Sequence, residues 1–348
     1  MTDERPQLSV SQAAALMTRV ELDESERLCR DALAVGRESP EGLGLLAAIA
    51  NARKDFAQAV ELAERAIALA GRIAWIHVEK AIALQALGQY AAAAVAARGA
   101  VDIDPDVPGG YPLLSQALMP GESYCDILGR FHALLAPRSY FEIGVARGAT
   151  IALVGPSCVA VGVDPKPDIQ GALAVTTRIF PLESDVYFAS RDVRADLDAD
   201  CVDLAFIDGL HVFQQALRDF INVERFAGSG SVVLLHDCIP IDAVTASAER
   251  RTQFWTGDVW KVIAALRKWR PDLDIQSVAT SPSGLGVICR LDPESRVLRD
   301  NYDAIVAEFL DQAAPVTPSD RLDRLSVVDN DWAQIAARVT RSTGRGRS

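Results

Sequence analysis

The chain has 348 residues, 49% hydrophobic and 24% charged, which suffices for two ordinary globular cores and excludes general disorder. Its 35 Lys and Arg against 47 Asp and Glu leave a net charge of −12, so nucleic acid is excluded as an expected partner. The opening Met1 to Pro6 lacks a basic and apolar signal segment, and no run of about 18 apolar residues follows, so no membrane role is expected and the expected compartment is cytoplasmic.

Six cysteines (Cys29, Cys125, Cys158, Cys201, Cys238, Cys289) are scattered without a Cys-x-x-Cys pair, which points to reduced thiols rather than a zinc ribbon or a disulfide framework.

Alanine and leucine crowd residues 11–103, and one pattern recurs at an offset of 34: Phe56, Ala57, Ala59, Ala63 and Ala66, then Tyr90, Ala91, Ala93, Ala97 and Ala100. One step back lie Leu22, Leu28, Cys29 and Ala32. Small residues at this spacing let paired helices cross closely while the aromatic fills the adjacent gap. With the turns before Phe56 and Tyr90 and the closing Asp104-Pro105, the pattern resembles the tetratricopeptide repeat. That resemblance implies an all-α domain over 1–110 and a concave surface for a protein partner or for self-association; the alternative is a domain that only caps and solubilises its neighbour.

Residues 104–123 carry Pro105, Pro108, Gly109, Gly110, Pro112, Pro120 and Gly121, and a linker is expected over 111–125. Strand and helix then alternate. Tyr140 to Val145 reads as a strand entering a glycine turn, Thr150 to Val154 as a helix, and Val159 to Val163 as a second strand ending at Asp164. Val202 to Asp208 and Ser231 to Leu235 read as buried parallel strands with the amphipathic helix Phe213 to Phe226 between them. Ile275 to Ala279 and Gly286 to Arg290 form a hairpin across Ser281-Pro282-Ser283-Gly284. The expected domain is 126–312, followed by a tail over 313–348 whose Arg338, Arg341, Arg345 and Arg347 are read as a solvated end.

Glu142-x-Gly144-x-x-x-Gly148 falls on the first strand-to-helix turn, where missing side chains admit a ligand and helix N–H groups face an anion. Asp164 stands 20 residues past Gly144, at the strand end where a carboxylate accepts both ribose hydroxyls. Asp208, His211, His236 and Asp237 close the next strand ends, and an open α/β sheet gathers such ends at one crevice. The first turn lacks Gly-x-Gly-x-x-Gly, which argues against a nicotinamide oxidoreductase.

Taken in order, Glu142 to Gly148, Val161 to Asp164, Leu204 to His211 and Val232 to Asp237 resemble the class I S-adenosylmethionine (SAM) dependent methyltransferases, in the branch with Ile-Asp-Gly-x-His. The resemblance spans about residues 122 to 295. It implies an α/β fold, a Rossmann-like methyltransferase sheet with a terminal antiparallel hairpin, and O-methylation of a small molecule or glycan. It implies SAM binding by Glu142, Gly144, Ala146, Gly148, Asp164, Ser184 and Asp208, the methionine carboxylate lying at the glycine turn and Ser184 on the adenine side.

Asp208, His211 and His236 are the implied catalytic residues. A divalent metal such as Mg²⁺ on Asp208 and Asp237 stands beside a histidine base, because relatives with metal commonly carry two adjacent carboxylates where this chain has His236-Asp237. Phe254-Trp255 is the expected acceptor lid and Trp260 a core residue. The rival function is a non-catalytic interaction protein that uses its repeats and keeps only a SAM-binding-like domain.

Overall fold

The computed structural model describes residues 22–35 and 38–344. Met1 to Pro6, Arg345, Arg347 and the side chain of Ala32 lie outside the described residues. The chain divides into two compact units, Met1–Leu118 and Met119–Ser348.

In the first unit, helices α1 (Leu22–Val35), α2 (Pro40–Ala52), α3 (Phe56–Leu69), α4 (Ala74–Ala86) and α5 (Tyr90–Ile103) follow one another, and alternate helices start 34 residues apart. Their starts are chemically marked: Ser39 caps α2 ahead of Pro40, and the Asp55 side chain accepts the Gln58 N–H of α3. Ala59, Ala63, Ala66, Ala93, Ala97 and Ala100 are all 0% exposed, so these small residues of the repeat sit at crossings, whereas Ala57 and Ala91 are exposed. The crossing leaves no slack, because a Cβ on Gly44 would lie 2.6 Å from Trp75 Cη2. The aromatic position is less uniform. Phe56 is half-buried, whereas Tyr90, the first residue of α5, is 40% exposed beside exposed Gln89 and Ala91.

The stretch 111–125 contains helix, and the division between the two units falls within it, after Leu118. Helix α6 (Gly110–Leu118) runs through it, since Pro112 falls in the first turn, where a missing N–H removes no helical bond. A second helix, α7 (Tyr124–Leu135), opens there on a reciprocal cap between Ser123 and Asp126.

The second unit is built on one sheet of β1 (Ser139–Ile143), β2 (Val159–Val163), β3 (Thr177–Phe180), β4 (Val202–Ile207), β5 (Ala227–His236), β6 (Asp274–Val278), β7 (Leu285–Cys289) and β8 (Val327–Val328), in the order β3-β2-β1-β4-β5-β7-β6-β8. Only β7 runs antiparallel to its neighbours, β5 and β6, so the expected hairpin lies beside an otherwise parallel sheet. Alternate residues feed two cores: Phe141, Val163, Ala205 and Leu235 on one face, Tyr140, Ala160, Leu204 and Leu234 on the other. Burial on both faces is why these strands are continuous apolar runs. Helices α8 (Ser184–Ser190), α9 (Val193–Leu197), α10 (Phe213–Glu224), α11 (Trp260–Trp269), α12 (Val297–Asp300) and α13 (Tyr302–Phe309) complete the layers, with Trp260 1% exposed in the core, as its stripe predicts.

Two expectations need correction. The stretch 150–154 is a single 3₁₀ turn, Ile151–Leu153, because Gly155 and Pro156 follow at once; there is no helix end behind the glycine turn to face an anion. The stretch after 313 is not a loose tail. It forms α14 (Pro318–Leu325), strand β8, which pairs in parallel with β6, and α15 (Trp332–Thr343), whose Ile335 and Val339 are buried against Val278 and Leu285. Arg338 pairs with Asp274 at 2.8 Å from Nε, so this arginine belongs to the fold.

Candidate active site in the second unit

The carboxyl ends of β1, β2 and β4 open on a cleft of about 530 Å³ whose lining includes Gly144, Ala146, Asp164, Ser184, Asp208 and His211. Crevices of this kind form where parallel strand order reverses, here between β1 and β4. Glu142, Gly148, His236 and Asp237, also expected at the site, do not line it.

The floor is backbone. Gly144 has φ +87°, and a Cβ there would fall 1.9 Å from the Asp208 carbonyl oxygen, so glycine is required twice over. Gly148, also at positive φ, shapes the turn against Ile169. The N–H groups of Gly144 and Gly148 are spent on Val163 O and Val145 O, and that of Ala146 on Asp164 Oδ2 at 2.8 Å. Asp164 Oδ1 accepts Lys166 N–H at 2.7 Å. These bonds fix the Asp164 carboxylate at the rim, and each oxygen keeps a lone pair for a ligand hydroxyl.

Glu142 lies beneath this floor. It is 0% exposed and accepts Tyr140 Oη at 2.6 Å and Thr150 Oγ1 at 2.7 Å. Burial pushes its pKa up to about 8, against the two hydroxyl bonds that favour the anion. Both oxygens are thus occupied within the protein, and Glu142 acts on the site through β1 and Thr150.

The far end of the cleft is made of charge. His211 Nε2 lies 3.5 Å from Asp208 Oδ1, and its Nδ1 lies 2.9 Å from Asp237 Oδ2. The second distance is an ion-pair contact: the same ring nitrogen bonds the Trp255 carbonyl at 3.2 Å, and Asp237 Oδ2, although buried, has no aligned hydrogen-bond partner among the described residues. His236 Nδ1 sits 3.2 Å from Asp208 Oδ1 and 3.4 Å from Asp237 Oδ1, with its ring 4.2 Å from that of Tyr124. Ser283 Oγ donates to Asp237 Oδ1.

Burial opposes charge on both histidines, but Asp208 and Asp237 outweigh it, raising His211 to about 9 and His236 well above its ordinary value. Asp237, despite its burial, is held well below the usual carboxylate range by His236 and His211. Its backbone is strained, at φ +59° on a non-glycine residue. Asp208, His211 and Asp237 offer ligand atoms within 4.8 Å of one another, so this group fits a divalent cation.

Three features escaped the sequence. Trp255, expected as a lid, is stacked on the His211 ring at 5.5 Å and tied by Nε1 to Ser247 O at 2.7 Å, while a Cβ on neighbouring Gly257 would fall 1.6 Å from His211 O. Gln215 of α10 reaches the cleft and donates to Ser184 Oγ at 3.1 Å. Behind both is Asp219, whose pKa burial raises to about 6 against the bonds from Ser184 and Gln215. Of these, only Trp255 carried a signal, its place in an aromatic run; Gln215 and Asp219 look like ordinary polar positions of an amphipathic helix.

No helix among the described residues is long and apolar enough to cross a membrane. A comparison with curated proteins finds no match. Among solved structures, cofactor-bound Rv0187 from MTB is similar at 15% identity, covering 59% of this chain and 90% of its own, with a TM-score of 0.40. The TPR domain of Arabidopsis OM64 is similar at 15% identity over 33% of this chain and 94% of its own, TM-score 0.31. An O-GlcNAc transferase mutant from Thermobaculum terrenum shows 17% identity over 59% and 46%, TM-score 0.34. The stretch 141–238, which holds the glycine turn and all four charged strand-end residues, matches a family model described as a methyltransferase domain.

Proposed function

We propose that the second unit binds SAM in the cleft and transfers its methyl group to an oxygen of a small molecule or glycan. The observation that carries this reading is the convergence of Gly144, Asp164 and Asp208 on one cleft at a reversal of strand order, within the matched methyltransferase domain. SAM, when bound, supplies a methyl group on a sulfonium, open to in-line attack. The chain's part is to hold: Gly144 leaves room at the floor, Asp164 accepts the ribose hydroxyls, and Ser184 sits on the adenine side. Glu142 and Gly148 support the turn from below rather than touching the cofactor.

The acceptor oxygen must lose a proton. A histidine held near pKa 9 is already protonated at neutral pH, so His211 does not take that proton; its charge lowers the pKa of a hydroxyl beside it, and the proton leaves to bulk water before the methyl group is transferred. The same geometry supports a second reading, in which a divalent ion would displace the His211 proton and be held by Asp208, His211 and Asp237. Such an ion supplies charge that lowers the pKa of a bound hydroxyl. The first unit fits a docking role toward a protein partner or a second copy of the chain, and six cysteines scattered without a Cys-x-x-Cys pair fit a reducing compartment such as the cytoplasm.

Calorimetric titration of the full chain with SAM tests the cofactor reading. Binding heat is expected, and Asp164→Ala should weaken it by roughly 10- to 100-fold, the loss of charge-assisted hydrogen bonds. No heat and no thermal shift with the native chain would remove the reading.

A further inference from the structure

Asp219 of α10 is 1% exposed and is not among the residues that line the cleft. Its Oδ1 accepts Ser184 Oγ at 2.6 Å and Gln215 Nε2 at 3.0 Å, while its Oδ2 is buried with no hydrogen-bond partner among the described residues. The orientation of Gln215 follows from its surroundings. Nε2 also donates to Ser184 Oγ and, at 3.2 Å, to Asp185 Oδ1, and Oε1 accepts from the Arg218 guanidinium. Turning the amide over would set its oxygen against two carboxylates and its N–H groups against a cation.

This network decides hydrogen-bond polarity. Ser184 has one proton, and it goes to Asp219, so toward the cleft the hydroxyl offers a lone pair. Asp185, engaged by Gln215 and by Arg218 Nε at 3.2 Å, offers the same. Ser184, Asp185 and Gln215 all line the cleft, and the amide hydrogens of Gln215 are already spent on the acceptors around it. The side chains of this wall therefore present acceptors.

We infer that Asp219 is a positioning residue: by holding the Ser184 proton it makes this wall select a nucleobase that presents an exocyclic amino group over one that presents a carbonyl. The inference rests on the cofactor reading and adds what enforces the choice of base. A carbonyl at that position faces lone pairs on both sides, and the mismatch costs the desolvated acceptors their partner.

The test compares S-adenosylhomocysteine with its deaminated analogue, S-inosylhomocysteine, by calorimetry on the full chain. The native protein is expected to bind the adenosyl compound tighter by on the order of 10- to 100-fold. In Asp219→Leu the Ser184 hydroxyl is released to donate, and the ratio should collapse; Asp219→Asn keeps a carbonyl acceptor for Ser184 and places its amide nitrogen where Oδ2 has no bond to lose, so the ratio should return. A merely structural role would weaken both ligands alike and leave the ratio alone. Should Asp219→Leu fail to fold, Ser184→Ala must lower the ratio by weakening the adenosyl compound selectively. Equal affinities in the native chain, or a ratio indifferent to Asp219→Leu and to Ser184→Ala, overturn the inference alone. Binding of neither compound overturns the cofactor reading with it.

Discussion

Gly144 and Asp208 are close enough that a methyl group on the first would collide with the carbonyl of the second, yet they belong to differently built halves of the site. On the Gly144 side the fit is made of backbone: a left-handed glycine, loop N–H groups already bonded, and one carboxylate, Asp164, fixed at the rim. On the Asp208 side it is made of side-chain charge, two carboxylates and two histidines in mutual contact around a strained Asp237. The first half tolerates no added atom, and the second no unbalanced charge. Substitutions should therefore separate the halves, with steric changes in the first acting on cofactor affinity and polar changes in the second acting on turnover.

The largest effect is expected from Gly144→Ala. The added Cβ forces β1 away from the Asp208 carbonyl, and positive φ adds about 1–3 kcal/mol of strain. SAM affinity measured by calorimetry should fall by at least about 100-fold. A variant that binds SAM normally would show that the floor has slack, and the contrast between the halves would fail.

Glu142 tests the same half by pH. Its folded pKa, about 8, lies above the ordinary value of 4.5, so the folded state holds the proton more tightly. The sign follows: this contribution to stability is fully present below about pH 4.5 and is lost as pH rises through about 8. Thermal melts should show the native chain losing on the order of a few kcal/mol more than Glu142→Gln between pH 5, just inside the low end of that window, and pH 9, about one unit beyond its high end. Parallel losses would mean that Glu142 is ionised beneath the floor.

The repeats were legible because a 34-residue spacing of helix starts is a property of the chain itself, and small residues at a crossing have no substitute of another size. The sheet was legible for a similar reason, since strands buried on both faces must be apolar throughout. What sequence missed depends on contact at a distance. Gln215 and Asp219 meet Ser184 across more than thirty residues, and α15 reads as a basic end until Arg338 is seen against Asp274. The glycine turn was found, but the helix expected behind it was not there, because Gly155 and Pro156 end the turn after three residues.

Ser283→Ala should give the smallest effect and bears on the charged half alone. Ser283 is 0% exposed and donates to Asp237 Oδ1, whose other neighbour on that oxygen is His236 Nδ1 at 3.4 Å. Removing the hydroxyl deletes no volume that the core depends on and adds no charge; it frees Asp237 to turn. Groups that hold a ligating or charge-pairing side chain in place typically matter by about tenfold or somewhat more, so turnover, or affinity for a divalent ion, should drop by about tenfold. SAM affinity should stay within about twofold, since the floor is untouched. A matching loss of SAM affinity would mean that the two halves form one coupled unit, and that Asp237 sets the position of the Asp208 carbonyl against which Gly144 is packed.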